Sequence, residues 1–70
     1  MTSNALQNND VLRAMTKQEL MNEFRIFGER TVRAEINNVI AKMRGIPLKE
    51  AKDQKAVRAS EVEEIKKRFQ

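Results

Sequence analysis

Between Glu29 and Arg44 the chain sets Arg30, Arg33, Asn37 and Asn38 among the short side chains of Ala34 and Ala41, with Thr31 beside them. At 100° per residue these seven positions share one side of a helix. Guanidinium groups and carboxamides on a low-relief surface offer forked donors, and donor–acceptor pairs, to phosphate oxygens and base edges. Arg33 is the side chain best placed for such a contact, with a phosphate or a guanine edge as its target, whereas Arg30 has the alternative of pairing with a carboxylate and holding the turn before the helix. The bland alternative for the whole set is a solvated helix face.

Other chemistries lack their residues. The 70-residue chain has no Cys and no His, which excludes a disulfide frame, a thiolate nucleophile, an imidazole base and the usual zinc sites. No Gly-rich phosphate loop is present, and the carboxylates are scattered along helical patterns, so the chain reads as non-catalytic, with no cofactor and no metal. It contains no apolar run of the roughly 20 residues that a membrane span needs, and it does not open on a signal-peptide pattern, so a cytoplasmic protein is expected.

The charge is unevenly distributed. Of a net charge of +4, residues 1–28 and residues 60–70 each contribute nothing, because three basic residues offset three acidic ones in both. Residues 29–59 carry eight basic side chains against four acidic ones: Arg30, Arg33, Lys42, Arg44, Lys49, Lys52, Lys55 and Arg58 against Glu29, Glu35, Glu50 and Asp53. An excess confined to one helix and the segment after it is the footprint of a surface facing phosphates.

The elements that must position these groups follow from periodicity and caps. Residues 1–9 are polar and read as a flexible tail, and Asp10 is placed to cap a short turn through Val11, Leu12 and Met15. Thr16 and Glu19 have capping-box spacing, which predicts a helix from Lys17 to about Phe24 with Leu20 and Phe24 facing the core. Arg25-Ile26-Phe27-Gly28 makes a short break, with Gly28 taking the cap position of the next helix. Over Glu29–Arg44, Val32, Ile36, Val39, Ile40 and Met43 form the core-facing stripe, and Gly45 followed by Pro47 ends the helix. Ser60 and Glu63 suggest a second capping box for a closing helix in which Val62, Ile65 and Phe69 recur on one face. Its expected task is to cover a core of Leu20, Phe24, Phe27, Val32, Ile36 and Ile40. Phe24 and Phe27 read as core side chains rather than base-stacking platforms.

Two helices joined by so brief a turn form a helix-turn-helix arrangement. Thr16-Lys17-Gln18-Glu19-Leu20 followed by Glu29-Arg30-Thr31-Val32-Arg33 resembles the helix-turn-helix of small bacterial and phage DNA-binding regulators. Gly45-Ile46-Pro47 with Val57-Arg58-Ala59-Ser60-Glu61-Val62 is similar to the winged helix of the MerR-like and phage excisionase type. There a Gly-x-Pro ends the recognition helix, a hairpin wing follows, and a strand leads into a closing helix. The resemblance spans about residues 16–69.

It implies a mainly α fold with a small β-hairpin, a winged helix-turn-helix over residues 10–70. Ile46 and Leu48 would lie on one wing strand, Lys52-Asp53-Gln54-Lys55 in the turn, and Ala56 to Ala59 on the returning strand with Val57 inward. The alternative is an all-α helix-turn-helix bundle, because Leu48 to Ala59 is rich in helix formers and follows Pro47. The implied function is binding of double-stranded DNA with helix 29–44 in the major groove. Arg30, Thr31, Arg33, Ala34, Asn37, Asn38, Ala41 and Arg44 would lie on the duplex, and Lys49, Lys52, Lys55 and Arg58 on flanking phosphates. For Arg44 the alternative is a favourable interaction with the helix dipole. A transcriptional regulator acting as a homodimer or a cooperative oligomer is the first expectation. An excisionase-like DNA-bending factor is the second, and an adaptor for a host protein the third.

Overall fold

The computed structural model describes residues 13–70. The tail at residues 1–9, the Asp10 cap and the positions of Val11 and Leu12 lie outside the described residues. The order is β1 (Met15–Thr16), α1 (Lys17–Glu23), a 3-10 turn (Arg25–Phe27), α2 (Glu29–Arg44), α3 (Leu48–Lys52), β2 (Ala56–Val57) and α4 (Ala59–Arg68). The architecture is thus mainly helical with one small two-stranded antiparallel sheet.

Local chemistry sets the boundaries. The Thr16 hydroxyl accepts from the Glu19 amide at 3.1 Å while Glu19 accepts from the Thr16 amide at 2.9 Å, so the expected capping box starts α1. The Thr16 amide also holds the Glu19 carboxyl below its usual pKa. Gly28, at φ 94°, supplies a backbone conformation closed to most residues at the entrance to α2, and Gly45, at φ 67°, ends that helix in the left-handed region.

The core is one cluster built around α2. Val32, Ile36, Val39 and Ile40 meet Leu20 and Met21 of α1, Val62 and Ile65 of α4, Ala51 of α3, and Met15 and Val57 of the sheet. Burying each of the larger aliphatic side chains contributes roughly 1.5–3 kcal/mol.

Residues 46–59 depart from the hairpin. Leu48–Lys52 is a helix, not a wing strand, and the partner of Ala56–Val57 is the chain's own Met15–Thr16, with Met15 opposite Val57. Helix propensity after Pro47 prevails over the strand expected at Ile46 and Leu48, and Met15 enters a strand rather than the capped turn expected there. Val57 does point inward, fully buried. Three further expectations are corrected. Phe27 is 47% exposed rather than core, packed in an aromatic cluster with Phe24 and Phe69 at ring distances of 5.0–6.4 Å. Met43 is equally exposed, in an open depression beside Glu64 and Arg68 of α4. At α4 the helix begins at Ala59, so Glu61 rather than Glu63 occupies the third helical position and accepts from the Arg58 amide at 2.8 Å.

Candidate nucleic-acid interface

The polar side of α2 divides into an open face and a covered flank. Arg30, Ala34 and Asn38 recur every four residues and are exposed, with Thr31 and Lys42 beside them and the half-buried Ala41 at the edge. The flank is covered because Gly45-Ile46-Pro47 reverses the chain and lays α3 back along α2, with Ala51 fully buried between them. A helix with neighbours on two sides buries a wider arc than a single 3.6-residue stripe, and two predicted contact residues lie inside that arc.

Asn37 is one. It is only 5% exposed, its side chain makes no hydrogen bond among the described residues, and its Oδ1 is buried without a donor. The expectation of an open base-reading amide at this position is therefore corrected. Arg44 is the other. Its guanidinium grips the Glu61 carboxylate at 2.7 and 2.9 Å, donates to the Ala56 carbonyl at 3.0 Å and reaches Gln54 Oε1 at 3.3 Å. Such a bidentate pair, 13% and 2% exposed at its two side chains, leaves Arg44 no freedom to reach a duplex. Burial pushes the Glu61 carboxyl up, but the Arg44 guanidinium and the Arg58 amide outweigh it and hold the group below the ordinary carboxylate range. The same hydrogen bond raises Arg44 further above its usual value.

Two clefts open beside the exposed face. One, of about 340 Å³, is lined by Arg30, Arg33, Ala34, Asn37, Lys52 and Glu29. The second, of about 420 Å³, gathers Lys17, Arg33, Lys52 and Lys55 with Thr16, Gln18, Met21 and Gln54. Arg33 and Lys52 border both, so the two clefts are neighbours. Among the described residues five cations line the two, while Glu29, 3.6 Å from Arg33, is their one acidic lining residue. That ion pair joins two largely exposed side chains and opposes the release of Arg33 only weakly.

Elsewhere Arg68 and Lys66 stand beside carboxylates, whereas Arg25, Lys42, Lys49, Arg58 and Lys67 have none within ion-pair distance among the described residues. Arg68 pairs with Glu35 at 2.8 Å and approaches Glu64 at 3.7 Å, and Lys66 approaches Glu23 at 3.7 Å. Among the described residues Arg30, Lys17, Lys52 and Lys55 have no carboxylate within ion-pair distance. Lys49 faces away from the clefts, in a shallow depression with Glu50 and Asp53, and Arg58 is exposed at the entrance to α4 outside both clefts.

Lys17 is the cleft residue that sequence reasoning passed over, because the charge of residues 1–28 sums to zero. Its ammonium donates to the Ala51 and Lys52 carbonyls at 2.8 and 3.1 Å, which ties α1 to the end of α3. Desolvation lowers its pKa, with Asp53 opposing and with Arg33 and Arg44 adding to the shift. Among the described residues no three His, Cys, Asp or Glu side chains gather to hold a metal ion, and no helix is long and apolar enough to cross a membrane. No protein-family model, no curated protein and no solved structure matches this chain.

Proposed function

We propose that the protein binds double-stranded DNA as a small winged helix-turn-helix regulator of transcription, with α2 in the major groove. The observation that carries this reading is an uneven distribution of charge. Lys66 and Arg68 near the end of α4 stand beside carboxylates, whereas Arg30, Arg33 and Lys52 border clefts whose one acidic lining residue among the described residues is Glu29. Unpaired positive charge held on a rigid helix face raises the local concentration of a polyanion and accelerates its capture. Arg30, Asn38 and Thr31 supply the hydrogen-bonding groups of the open face, and Ala34 between them allows close approach to base edges. Arg33, Lys52 and Lys55 accompany them on the backbone side. Asn37 and Arg44 have no part in the contact.

A titration of a labelled mixed-sequence duplex across a salt series tests the reading. Log affinity is expected to fall linearly with log salt, at a slope of roughly −0.9 for each phosphate engaged. Arg30→Ala is expected to weaken selected sites by about 1–3 kcal/mol while relaxing their sequence preference. Failure of the wild type to bind any duplex at low salt sinks the proposal.

A second reading, a protein-binding adaptor, is favoured by one observation: Ile26 is 87% exposed beside Phe27 and the edges of Phe24 and Phe69. Contiguous exposed apolar groups of this kind mark interaction surfaces. Amide shifts confined to the 3-10 turn and the end of α4, induced by a protein and not by a duplex, would support it.

A further inference from the structure

Apart from Met21, the larger cleft is lined among the described residues by cationic and polar side chains. Four of its side chains are cationic, Lys17, Arg33, Lys52 and Lys55, and three more, Thr16, Gln18 and Gln54, are neutral groups able to donate hydrogen bonds. Among the described residues no carboxylate lines it. These residues come from β1 and the start of α1, the first half of α2, and the end of α3 with the stretch after it, and the Lys17 amide donating to the Lys55 carbonyl at 2.9 Å joins the first of these to the last. Like charges gathered from three separate elements repel one another unless an anion lies between them.

We infer that this cleft is a phosphate seat, built by Lys17, Arg33, Lys52 and Lys55 to hold a phosphodiester of the duplex strand that borders α2. The inference rests on the DNA-binding reading for the source of that phosphate, but the chemistry it names is shared with free polyphosphates. Each side chain has capacity left for the ligand. Two of the three Lys17 ammonium protons are taken by the Ala51 and Lys52 carbonyls, which fixes the third beside the cleft. Arg33 exchanges its exposed contact with Glu29 for a phosphate, to which its planar fork is better matched. Lys52 and Lys55 contribute backbone carbonyls to α1 and leave their ammonium groups uncommitted among the described residues.

The seat also divides the labour along α2. Arg33 borders both clefts and belongs to the backbone contact, so sequence discrimination falls to Arg30 and Asn38 on the open face. Lys49 provides an internal control, since it stands on the same short helix but beside Glu50 and Asp53.

The test compares wild type, Lys55→Gln and Lys49→Gln, with two probes: duplexes of unrelated sequence in a salt series, and inorganic tripolyphosphate followed by amide shifts. Lys55→Gln is expected to weaken all duplexes by the same factor and to reduce the salt slope by about 1, while Lys49→Gln leaves the slope unchanged. Tripolyphosphate is expected to shift the amides of Lys17, Gln18, Gln54 and Lys55 and to leave those of Lys49 and Glu50 in place. If wild type binds duplexes but Lys55→Gln behaves like Lys49→Gln, the seat is overturned and DNA binding stands. If no duplex binds while tripolyphosphate shifts those four amides, the seat stands as a site for free polyphosphate and the DNA reading falls. If no duplex binds and tripolyphosphate shifts none of those amides, both readings fall.

Discussion

Removing the carboxylate of Glu61 is expected to be the most damaging single change to this fold. Its two oxygens take three short hydrogen bonds, at 2.7 and 2.9 Å from Arg44 and 2.8 Å from the Arg58 amide. With side-chain exposures of 13% and 2%, solvent screens the Arg44–Glu61 pair very little. Glu61→Ala leaves the guanidinium with the Ala56 carbonyl and Gln54 but with no counter-charge. Orphaning one member of a buried pair costs about 3–5 kcal/mol. A chain of this size has roughly 4–10 kcal/mol in total. At a urea slope of about 1 kcal/mol per molar, the unfolding midpoint should fall by about 3 M, or the variant should be largely unfolded in buffer. The double variant Arg44→Met with Glu61→Leu removes both charges and fills the space with apolar groups, an exchange that is often neutral or stabilising. It should recover most of the loss, giving a coupling energy above about 2 kcal/mol, and it should bind duplex DNA as the wild type does. A midpoint shift under about 1 M for Glu61→Ala would refute the reasoning, and weakened duplex binding by the stable double variant would return Arg44 to the contact surface.

Two further outcomes follow from the same geometry. The Glu61 carboxyl sits below its ordinary pKa in the folded state, so its contribution is complete above the unfolded value and fades as pH falls through the folded one. Urea midpoints measured between about pH 6 and pH 3 should therefore decline, and the decline should be shallower in Glu61→Gln. Asn37→Leu removes an amide whose Oδ1 has no donor, and should raise stability by about 1–3 kcal/mol with duplex affinity unchanged. A loss of affinity there would mean that the amide turns outward to meet a base.

Much of this was legible in the chain because local rules operated alone. Thr16 and Glu19 mark the start of α1, Gly45 and Pro47 the end of α2, and the Val32–Ile36–Val39–Ile40 stripe the side that meets the core. What escaped depended on a neighbour that pattern does not encode. Asn37 and Arg44 read as solvent-facing because nothing in their spacing says that α3 folds back over that flank. Ala56–Val57 read as half of a local hairpin because its partner, Met15–Thr16, stands at the other end of the described chain. Lys17 was hidden by a charge sum, and Phe27 by an assumption that aromatic side chains reach the centre of so small a core.

The pairing of β1 with β2 has a consequence for the order of events during folding. α1, α2 and α4 can form from contacts between near neighbours, but joining Met15 to Val57 requires the long stretch between them, which includes α1, α2 and α3, to be gathered first. Lys17 and Lys55 stand at the ends of those strands and meet through one backbone hydrogen bond. The cationic cleft is thus a late product of folding, absent from any fragment that carries α2 alone. An isolated α2 peptide would keep Arg30 and Asn38 on one face yet lack the anchor beside them, so anion capture at the cleft reports that the chain has closed.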